Sequence, residues 1–372
     1  MSETELIDGL ADLASKRVLW VSPNGRDSAD GSQDAPLRSI QEAADRATPG
    51  TAIMVREGVY RESVEIDRSG TPDAPIRLVS ADGKGAAEIV AQGSSAIYGY
   101  GEENIVIRGF EISGGRSSSA TNGNGILFTQ SLKGTPDNDR PDFMQDVVRN
   151  IVIEDNIIRD ARVDGIKIAQ GFGIVIRDNL IDGGSGQEGI DLVTVEDALI
   201  AGNEIRGISG NAGLTMKGGS QDIRVEGNHI HDVPEIGIRI GGASESSKIP
   251  KGVDFEVRDA EIVGNYVYDT GGNAVAFIGA HESSAVDNVL ESLLVRDSTN
   301  RGGPVFHSRD LTVTGNTVLD DDWLSIRHGL EDEVDLADNR SGSLDGNWKA
   351  SDGAGTGTDG PADIMAFGTD CY

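Results

Sequence analysis

Side chains suited to acid–base and ion-binding chemistry recur at one fixed spacing in the middle of this 372-residue chain. Lys167, Asp191, Thr215 and Arg239 are each 24 residues from the next, and Lys217 follows two positions after Thr215. If positions 24 residues apart lie side by side in the fold, these four residues form a column. Adjacent side chains in that column are close enough to share one ligand. The spacing therefore predicts a strip of cations and anions on one surface.

Two further carboxylates, Asp164 and Glu188, accompany Asp191 of this column. Clustered carboxylates are the ligands that a hard cation such as Ca²⁺ prefers. The pattern therefore predicts a calcium site that these three residues form. Asp164 and Glu188 each precede a glycine, so the capping of a turn is an alternative role for both.

Lys217 is the candidate for a general base. Its predicted neighbours Lys167 and Arg239 carry charge of the same sign, which would lower the pKa of the Lys217 ammonium toward the useful range. Arg239 would then face a substrate carboxylate or the charge on a leaving group. The alternative is a solvated ladder of salt bridges with no chemistry, because surface columns are commonly polar.

The element that must position these residues is a repeated phrase, a glycine followed by a short apolar strand. Its glycines are Gly165, Gly189, Gly213 and Gly237, again with a period of 24. A period in the twenties, formed by three-residue apolar strands, indicates a solenoid in which each repeat is one coil. We predict an all-β fold, a right-handed parallel β-helix of about ten coils.

A second phrase places apolar residues on both sides of a recurring asparagine. The asparagines are Asn156, Asn179, Asn203, Asn228, Asn265 and Asn316. Asparagine tolerates the left-handed backbone of a sharp corner, and stacked Asn side chains can form hydrogen bonds from coil to coil. Each coil should therefore have three short strands, with apolar residues pointing inward and the alternate residues facing water.

Charge and cysteine content limit the possible partners. The net charge of −30 argues against a nucleic-acid partner, and a polyanionic ligand would need a local basic cluster or bound cations. The single cysteine, Cys371, cannot form an internal disulfide. The chain has no apolar run of membrane-spanning length, and residues 1–17 lack the apolar segment of a signal peptide. We expect a monomer that is secreted by a signal-peptide-independent route, with a cytoplasmic location as the alternative.

The order of elements predicts one long domain. Residues 1–17 form an N-terminal extension, residues 18–340 the β-helix, and residues 341–372 a C-terminal tail or cap. Residues 36–47 have apolar positions at helical spacing and predict a helix that covers the first coil. Two insertions, residues 129–149 and 242–259, leave the same corner of the coil and should wall a groove.

Several segments near the N-terminus resemble a known group. They are Val21-Ser22-Pro23-Asn24-Gly25, Ser39-Ile40-Gln41-Glu42-Ala43, Pro49-Gly50-Thr51, Gly58-Val59-Tyr60-Arg61-Glu62 and Gly70-Thr71-Pro72-Asp73-Ala74-Pro75-Ile76. With the coil pattern, they resemble the pectate-lyase-like β-helix proteins, and most of all the polysaccharide lyases of families 9 and 6. That fold hosts lyases, epimerases, hydrolases and non-catalytic proteins, so the resemblance is more specific for fold than for activity.

The resemblance to family 9 implies a calcium site in an Asp-Asp-Gly-Phe-Asp-like strand. Here Gln187-Glu188-Gly189-Ile190-Asp191 matches it at Glu188 and Asp191, Asp164 lies on the coil before, and Gln187 departs from the pattern. Lys217-Gly218-Gly219-Ser220 and Arg239 look similar to the Lys and Arg pair of family 6 lyases. The paired glutamates expected before that Lys are absent.

The resemblance thus implies β-elimination from a uronate-containing polysaccharide. Lys217 and Arg239 would be catalytic, Lys167 and Thr215 would bind the acidic substrate, and Ca²⁺ would neutralise the uronate carboxylate. A mannuronan-type C5-epimerase starts with the same proton abstraction. A non-catalytic carbohydrate-binding or structural β-helix is the second class, and a glycoside hydrolase that uses two of the carboxylates is the third.

Two further motifs lie away from the strip. His229 and His231 share one side of a strand, which suits a metal pair, but they should lie on a different face, so the sequence favours ordinary surface histidines. Arg327-His328-Gly329 resembles an Arg-His-Gly motif of family 6, about four coils from Lys217. That separation excludes direct cooperation and leaves a distant binding subsite as its role.

Overall fold

The fold is a stack of parallel β-coils, seen here in a computed structural model. The structure describes residues 15–114, 123–130, 147–242, 244, 249–298, 305–320, 322–327, 329–342 and 348–350. The first strands are β1 (Arg17–Val21), β2 (Thr51–Val55), β3 (Gly58–Tyr60), β4 (Val64–Ile66), β5 (Ile76–Ser80), β6 (Ala87–Val90), β7 (Ile97–Tyr100), β8 (Glu103–Arg108), β9 (Glu111–Ser113), β10 (Ile126–Thr129) and β11 (Val148–Glu154).

The central strands, which carry the predicted site, are β12 (Ile157–Ala161), β13 (Ile166–Arg177), β14 (Leu180–Gly184), β15 (Glu188–Ala201), β16 (Glu204–Arg206), β17 (Ala212–Lys217), β18 (Ser220–Glu226), β19 (His229–His231) and β20 (Ile236–Gly241). The last strands are β21 (Val257–Val263), β22 (Tyr266–Val267), β23 (Val275–Ile278), β24 (Ala280–His281), β25 (Ser284–Val286), β26 (Val289–Leu290), β27 (Leu293–Arg296), β28 (Leu311–Thr314), β29 (Thr317–Val318), β30 (Leu324–Ile326), β31 (Val334–Ala337), β32 (Arg340–Gly342) and β33 (Trp348–Ala350).

Strands from successive coils stack into three faces, which confirms the predicted parallel β-helix. Face 1 precedes the asparagine corner and contains β1, β2, β5, β8, β11, the second parts of β13 and β15, β18, β21, β25, β28 and β31. Face 2 follows the corner and contains β3, β6, β9, β12, β14, β16, β19, β22, β26, β29 and β32. Face 3 carries the repeated glycine phrase and contains β4, β7, β10, the first parts of β13 and β15, β17, β20, β23, β27 and β30.

The apolar positions predicted to point inward are completely buried. They are Ile166, Ile168, Ile190, Leu192, Leu214, Met216, Ile238 and Ile240. They belong to one core cluster that extends from Leu19 to Val334. Burial of apolar surface along the whole axis is the main stabilising term of such a fold.

The glycine of the repeated phrase is required by the contact between coils. A Cβ on Gly189 would lie 2.5 Å from the carbonyl oxygen of Gly213, and one on Gly165 would lie 2.6 Å from that of Gly189. Any larger residue would push neighbouring coils apart, so the period of 24 reflects a packing constraint.

The asparagine corner is confirmed, but the prediction that the asparagine itself adopts the left-handed backbone was wrong. The left-handed residue is the one before the asparagine: Asp155 precedes Asn156 with a φ of 57°, and Asp178 precedes Asn179 with a φ of 56°. The asparagines are buried, and each hydrogen-bonds the next coil, as Asn179 Nδ2 donates to Asn203 Oδ1 at 3.0 Å. The ladder has two further members that were not predicted, Asn288 and Asn339.

The ends of the domain differ from the sequence prediction in detail. The predicted helix over residues 36–47 is only α1 (Ile40–Asp45), with Ser39 Oγ accepting a hydrogen bond from the Glu42 N–H at its start. Its role as a cap stays a prediction. Face 3 continues from β23 to β27, and residues 305–306, an apolar pair further along the chain, do not form a strand. A 3₁₀-helix (Glu331–Glu333) precedes β31, and β33 pairs antiparallel with β32. The domain limits stay predictions, and most of the predicted tail lies outside the described residues.

None of the helices in the described ranges is long and apolar enough to cross a membrane.

Candidate functional site

The predicted column exists on face 3. Parallel pairing sets Lys167 beside Asp191, Asp191 beside Thr215, and Thr215 beside Arg239. Lys217 lies two positions after Thr215 on the same strand, and it pairs with Val193 on the previous coil. The four coils therefore bring the predicted residues together as the spacing indicated.

The carboxylates of the site are buried, which corrects the expectation that alternate strand positions face water. The side chains of Asp164 and Asp191 are 0% and 1% exposed, whereas Lys167 is 26%, Lys217 23% and Arg239 16% exposed. Cations thus provide the accessible surface of the site.

Each cation contacts the acidic trio beneath it. Lys167 Nζ is 3.2 Å from Asp164 Oδ2 and also pairs with Asp191. Lys217 Nζ lies 2.9 Å from Asp191 Oδ1 and 3.6 Å from Glu188 Oε1. Arg239 Nη1 lies 3.7 Å from the same Glu188 oxygen. The three cations and the three carboxylates therefore form a compact network of ion pairs in which the carboxylates are buried.

Asp164 also links two neighbouring coils, whereas the turn-capping role considered as an alternative stays a prediction. Its Oδ1 accepts a hydrogen bond from the backbone N–H of Glu188 at 3.1 Å, on the next coil. The same carboxyl contacts Lys167 through its other oxygen. A structural role and a place in the charged network are therefore compatible for this residue.

The acidic trio has a donor set that fits a hard cation. Oxygen atoms of Asp164, Glu188 and Asp191 lie within 4.8 Å of one another. Glu188 Oε2 is buried without a hydrogen-bond partner in the described part of the chain. Asp191 Oδ1 also accepts no well-oriented hydrogen bond, despite its 2.9 Å contact with Lys217. Carboxylate oxygens in this state are suited to Ca²⁺, which would compete with the lysine ammonium groups.

The electrostatics reverse the predicted titration of Lys217. Burial alone would lower the pKa of its ammonium, but the carboxylates of Asp191 and Glu188 outweigh burial and raise that pKa above its ordinary value. The positive charge of Lys167 opposes this effect only in part. The expectation of a lowered pKa was wrong because it counted neighbouring cations and overlooked the anions between them.

The two aspartates of the network have opposite pKa shifts. Burial, opposed in part by Lys167, raises the pKa of Asp164 to about 7. Burial also acts on Asp191, but the ammonium groups of Lys167 and Lys217 outweigh it and lower the Asp191 pKa. Asp164 therefore exchanges a proton near neutral pH while Asp191 stays ionised.

Thr215 does not face the solvent, which disagrees with its predicted contact to substrate. It is 0% exposed, and its hydroxyl has no hydrogen-bond partner among the residues that the structure describes. Its position between Asp191 and Arg239 separates these two charged side chains along the column.

The second insertion borders the site as predicted. A Cβ on Gly242 would lie 3.9 Å from Lys217 Cβ, and Pro250 packs against Gly219. Glu256, which the sequence analysis missed, is buried and accepts hydrogen bonds from the Gly218 N–H and from Ser244. It fixes the turn that follows Lys217. Residues 131–146 of the first insertion lie outside the described residues, so the opposite wall stays a prediction.

Cations continue along face 3 beyond the predicted site. Arg296 pairs with Ile278, and burial together with the positive charges of Arg327 and Arg239 lowers its pKa. Arg327 follows β30 four coils from Lys217, which confirms the predicted separation. Arg296 was not predicted because β27 carries no glycine phrase. His328 of the predicted Arg327-His328-Gly329 motif lies outside the described residues.

Comparisons with known proteins agree on the fold. The profile of the family described as "Periplasmic copper-binding protein (NosD)" matches residues 79–251. Pectate lyase PEL9 of Emericella nidulans is 46% identical over 68 residues, which is 18% of this chain and 17% of that protein. The YwoF protein of Bacillus subtilis is 43% identical over 58 residues, or 16% and 12% of the two chains. The alignments span less than a fifth of either curated relative.

Solved structures match over a much larger share of the chain. The A-module of the mannuronan C-5 epimerase AlgE4 from Azotobacter vinelandii has a TM-score of 0.58 at 16% identity, covering 82% of this chain and 90% of that one. An alginate lyase from Paenibacillus has a TM-score of 0.51 at 15% identity, covering 88% and 100%. Identity this low concerns the fold alone. The chain therefore has the parallel β-helix fold of the pectate-lyase-like proteins, as the N-terminal segments and the coil pattern had indicated.

Proposed function

We propose that the protein is a polysaccharide lyase that cleaves a uronate-containing polymer by β-elimination on face 3. The observation that carries this proposal is that Lys167, Lys217 and Arg239 keep part of their side chains accessible above buried carboxylates. On a chain with a net charge of −30, this strip offers a polyanion a local positive surface. The structural likeness to an alginate lyase and a mannuronan epimerase supports a uronate as substrate.

The residues present supply the groups that the elimination needs. Lys217, in its neutral form, would take the proton from the carbon next to the uronate carboxyl group. The electron pair of that C–H bond would form the new C=C bond as the bond to the leaving oxygen breaks. Arg239 would stabilise the negative charge that develops, and Lys167 would hold a substrate carboxylate.

Asp164, Glu188 and Asp191 would hold Ca²⁺, which when bound supplies positive charge beside the substrate carboxylate. Burial argues against the hydrolase alternative, in which two of these carboxylates would have to touch the glycosidic bond. They are at most 4% exposed and lie beneath the lysines.

Incubation with a panel of uronate polymers tests the proposal. A lyase releases unsaturated uronate, which absorbs in the ultraviolet. An epimerase would change the sugar composition without that chromophore, a hydrolase would release reducing ends only, and a binding protein would retain the polymer without turnover. Any of these three outcomes would overturn the lyase assignment.

Calcium affinity should rise with pH, because Asp164 with a pKa of about 7 must lose its proton to bind the cation. We expect calorimetry to show an increase of about tenfold per unit up to pH 7, flattening above it, with about one proton released at pH 6. The variant Asp191→Asn should lose binding. An affinity that stays constant between pH 6 and pH 8 would contradict the involvement of Asp164.

A further inference from the structure

A second cluster of ligand-type side chains lies on face 2, away from the proposed carbohydrate site. Parallel pairing sets Glu204 beside His229 and Arg206 beside His231, on β16 and β19. Ligand atoms of Glu204, His229 and His231 all lie within 4.8 Å of one another. The three side chains are partly exposed, so an ion from solution can reach them.

His231 is held in the orientation that a metal ligand needs. Its Nδ1 lies 2.8 Å from Asp232 Oδ2, and because a carboxylate only accepts, Nδ1 carries the hydrogen. Its Nε2 faces Glu204 Oε1 at 3.7 Å. A carboxylate that fixes one imidazole nitrogen and leaves the other as a lone pair is the usual outer partner of a metal-bound histidine.

Two tyrosines on the next coil fix the histidine rings. His229 stacks on Tyr266 with ring centroids 5.3 Å apart and planes at 10°, and His231 stacks on Tyr268 at 5.2 Å and 4°. The Tyr268 hydroxyl lies 3.3 Å from His229 Nε2. Rings held in this way lose little further freedom when they bind an ion.

The charges around the cluster leave Glu204 available. Arg206 Nη1 donates to Glu204 Oε1 at 2.6 Å, but the same guanidinium also holds both oxygens of Asp182 at 3.2 Å. Asp182 pairs with Arg159 as well. Arg206 therefore keeps a bidentate carboxylate partner if Glu204 turns to a cation.

We propose that Glu204, His229 and His231 form a binding site for a divalent transition-metal ion such as Zn²⁺. Two imidazoles and one carboxylate suit ions of intermediate softness and leave coordination positions open for water or a ligand. Ca²⁺ prefers sites made of oxygen donors alone, so this site would discriminate against the cation of face 3.

Calorimetric titration of the full chain with Zn²⁺, in the presence of excess Ca²⁺, tests the proposal. We expect one Zn²⁺ per chain at this site, and His229→Ala and His231→Ala should each weaken binding at least about tenfold. Asp232→Asn should weaken it by about 10- to 100-fold although Asp232 does not touch the ion. Titration with Co²⁺ should give visible absorption that the same variants remove.

His307→Ala is the matched control, because His307 is exposed on another part of the chain and should not change zinc affinity. Zinc affinity that is unchanged in the double variant His229→Ala/His231→Ala would overturn the proposal. So would binding that survives in this double variant and disappears in Asp191→Asn, because the ion would then lie in the acidic trio of face 3.

Discussion

Replacing Lys217 by alanine is expected to slow the release of unsaturated uronate by at least about two orders of magnitude. A positioned general base contributes about 10²- to 10⁴-fold to a rate, and kcat should fall by that factor. Substrate affinity should change much less, since Lys167 and Arg239 remain. Lys84→Ala is the control, because Lys84 is an exposed lysine whose ammonium donates to the backbone carbonyl of Asp178.

The variant Lys217→Arg separates proton abstraction from charge. A guanidinium keeps the positive charge beside Asp191 and Glu188 but stays protonated at any accessible pH. If Lys217 is the base, Lys217→Arg should be as inactive as Lys217→Ala while still binding the polymer. Activity in Lys217→Arg within about tenfold of wild type would assign Lys217 an electrostatic role only.

The raised pKa of Lys217 also predicts the pH profile of the wild-type reaction. Only the neutral amine accepts a proton, and its fraction grows about tenfold per unit while the pH is below the pKa. Because the carboxylates of Asp191 and Glu188 outweigh burial and hold that pKa above the ordinary value of a lysine, kcat/KM should still be rising at pH 9. A plateau below pH 8 would indicate another base.

Register and core were predictable from the sequence because both follow from short-range patterns. When each repeat of 24 residues forms one coil, Lys167 and Asp191 lie side by side. The alternation of apolar and polar residues along each strand then determines which side chains enter the core. The depth of Asp191 and Thr215 was not predictable. The burial of these two residues depends on the way in which the long side chains of adjacent coils cover them. A strand pattern in the sequence does not describe that arrangement.

The sign of the Lys217 pKa shift was missed for a related reason. The sequence spacing indicates like charges near Lys217, whereas the fold brings Asp191 Oδ1 to 2.9 Å from Lys217 Nζ. Because the interaction energy of two charges falls with distance, the closest charged group decides the direction of the pKa shift. Arg296 and Glu256 were missed because neither belongs to a repeated phrase.

Replacing Asn203 by alanine is expected to lower the free energy of unfolding by about 2–5 kcal/mol, the largest effect on stability that we predict. Asn203 is 1% exposed. Its Nδ2 donates to Ile176 O and to Asn228 Oδ1, both at 2.9 Å, and its Oδ1 accepts from the Asn179 N–H at 3.1 Å. Alanine leaves that buried N–H without an acceptor, which costs more than the lost bonds themselves.

Denaturant unfolding, followed by circular dichroism, measures this loss. Asn24→Ala is the matched control, since Asn24 is exposed, and its unfolding free energy should stay within about 0.5 kcal/mol of wild type. Asn203→Asp keeps the acceptor but buries an unpaired charge at pH 7, so it should be at least as destabilising as alanine. Relative to wild type at the same pH, that variant should recover part of the loss near pH 4, where a protonated carboxyl group can again donate. If Asn203→Ala instead matches Asn24→Ala, the asparagine ladder does not hold the coils together, and apolar stacking alone must do so.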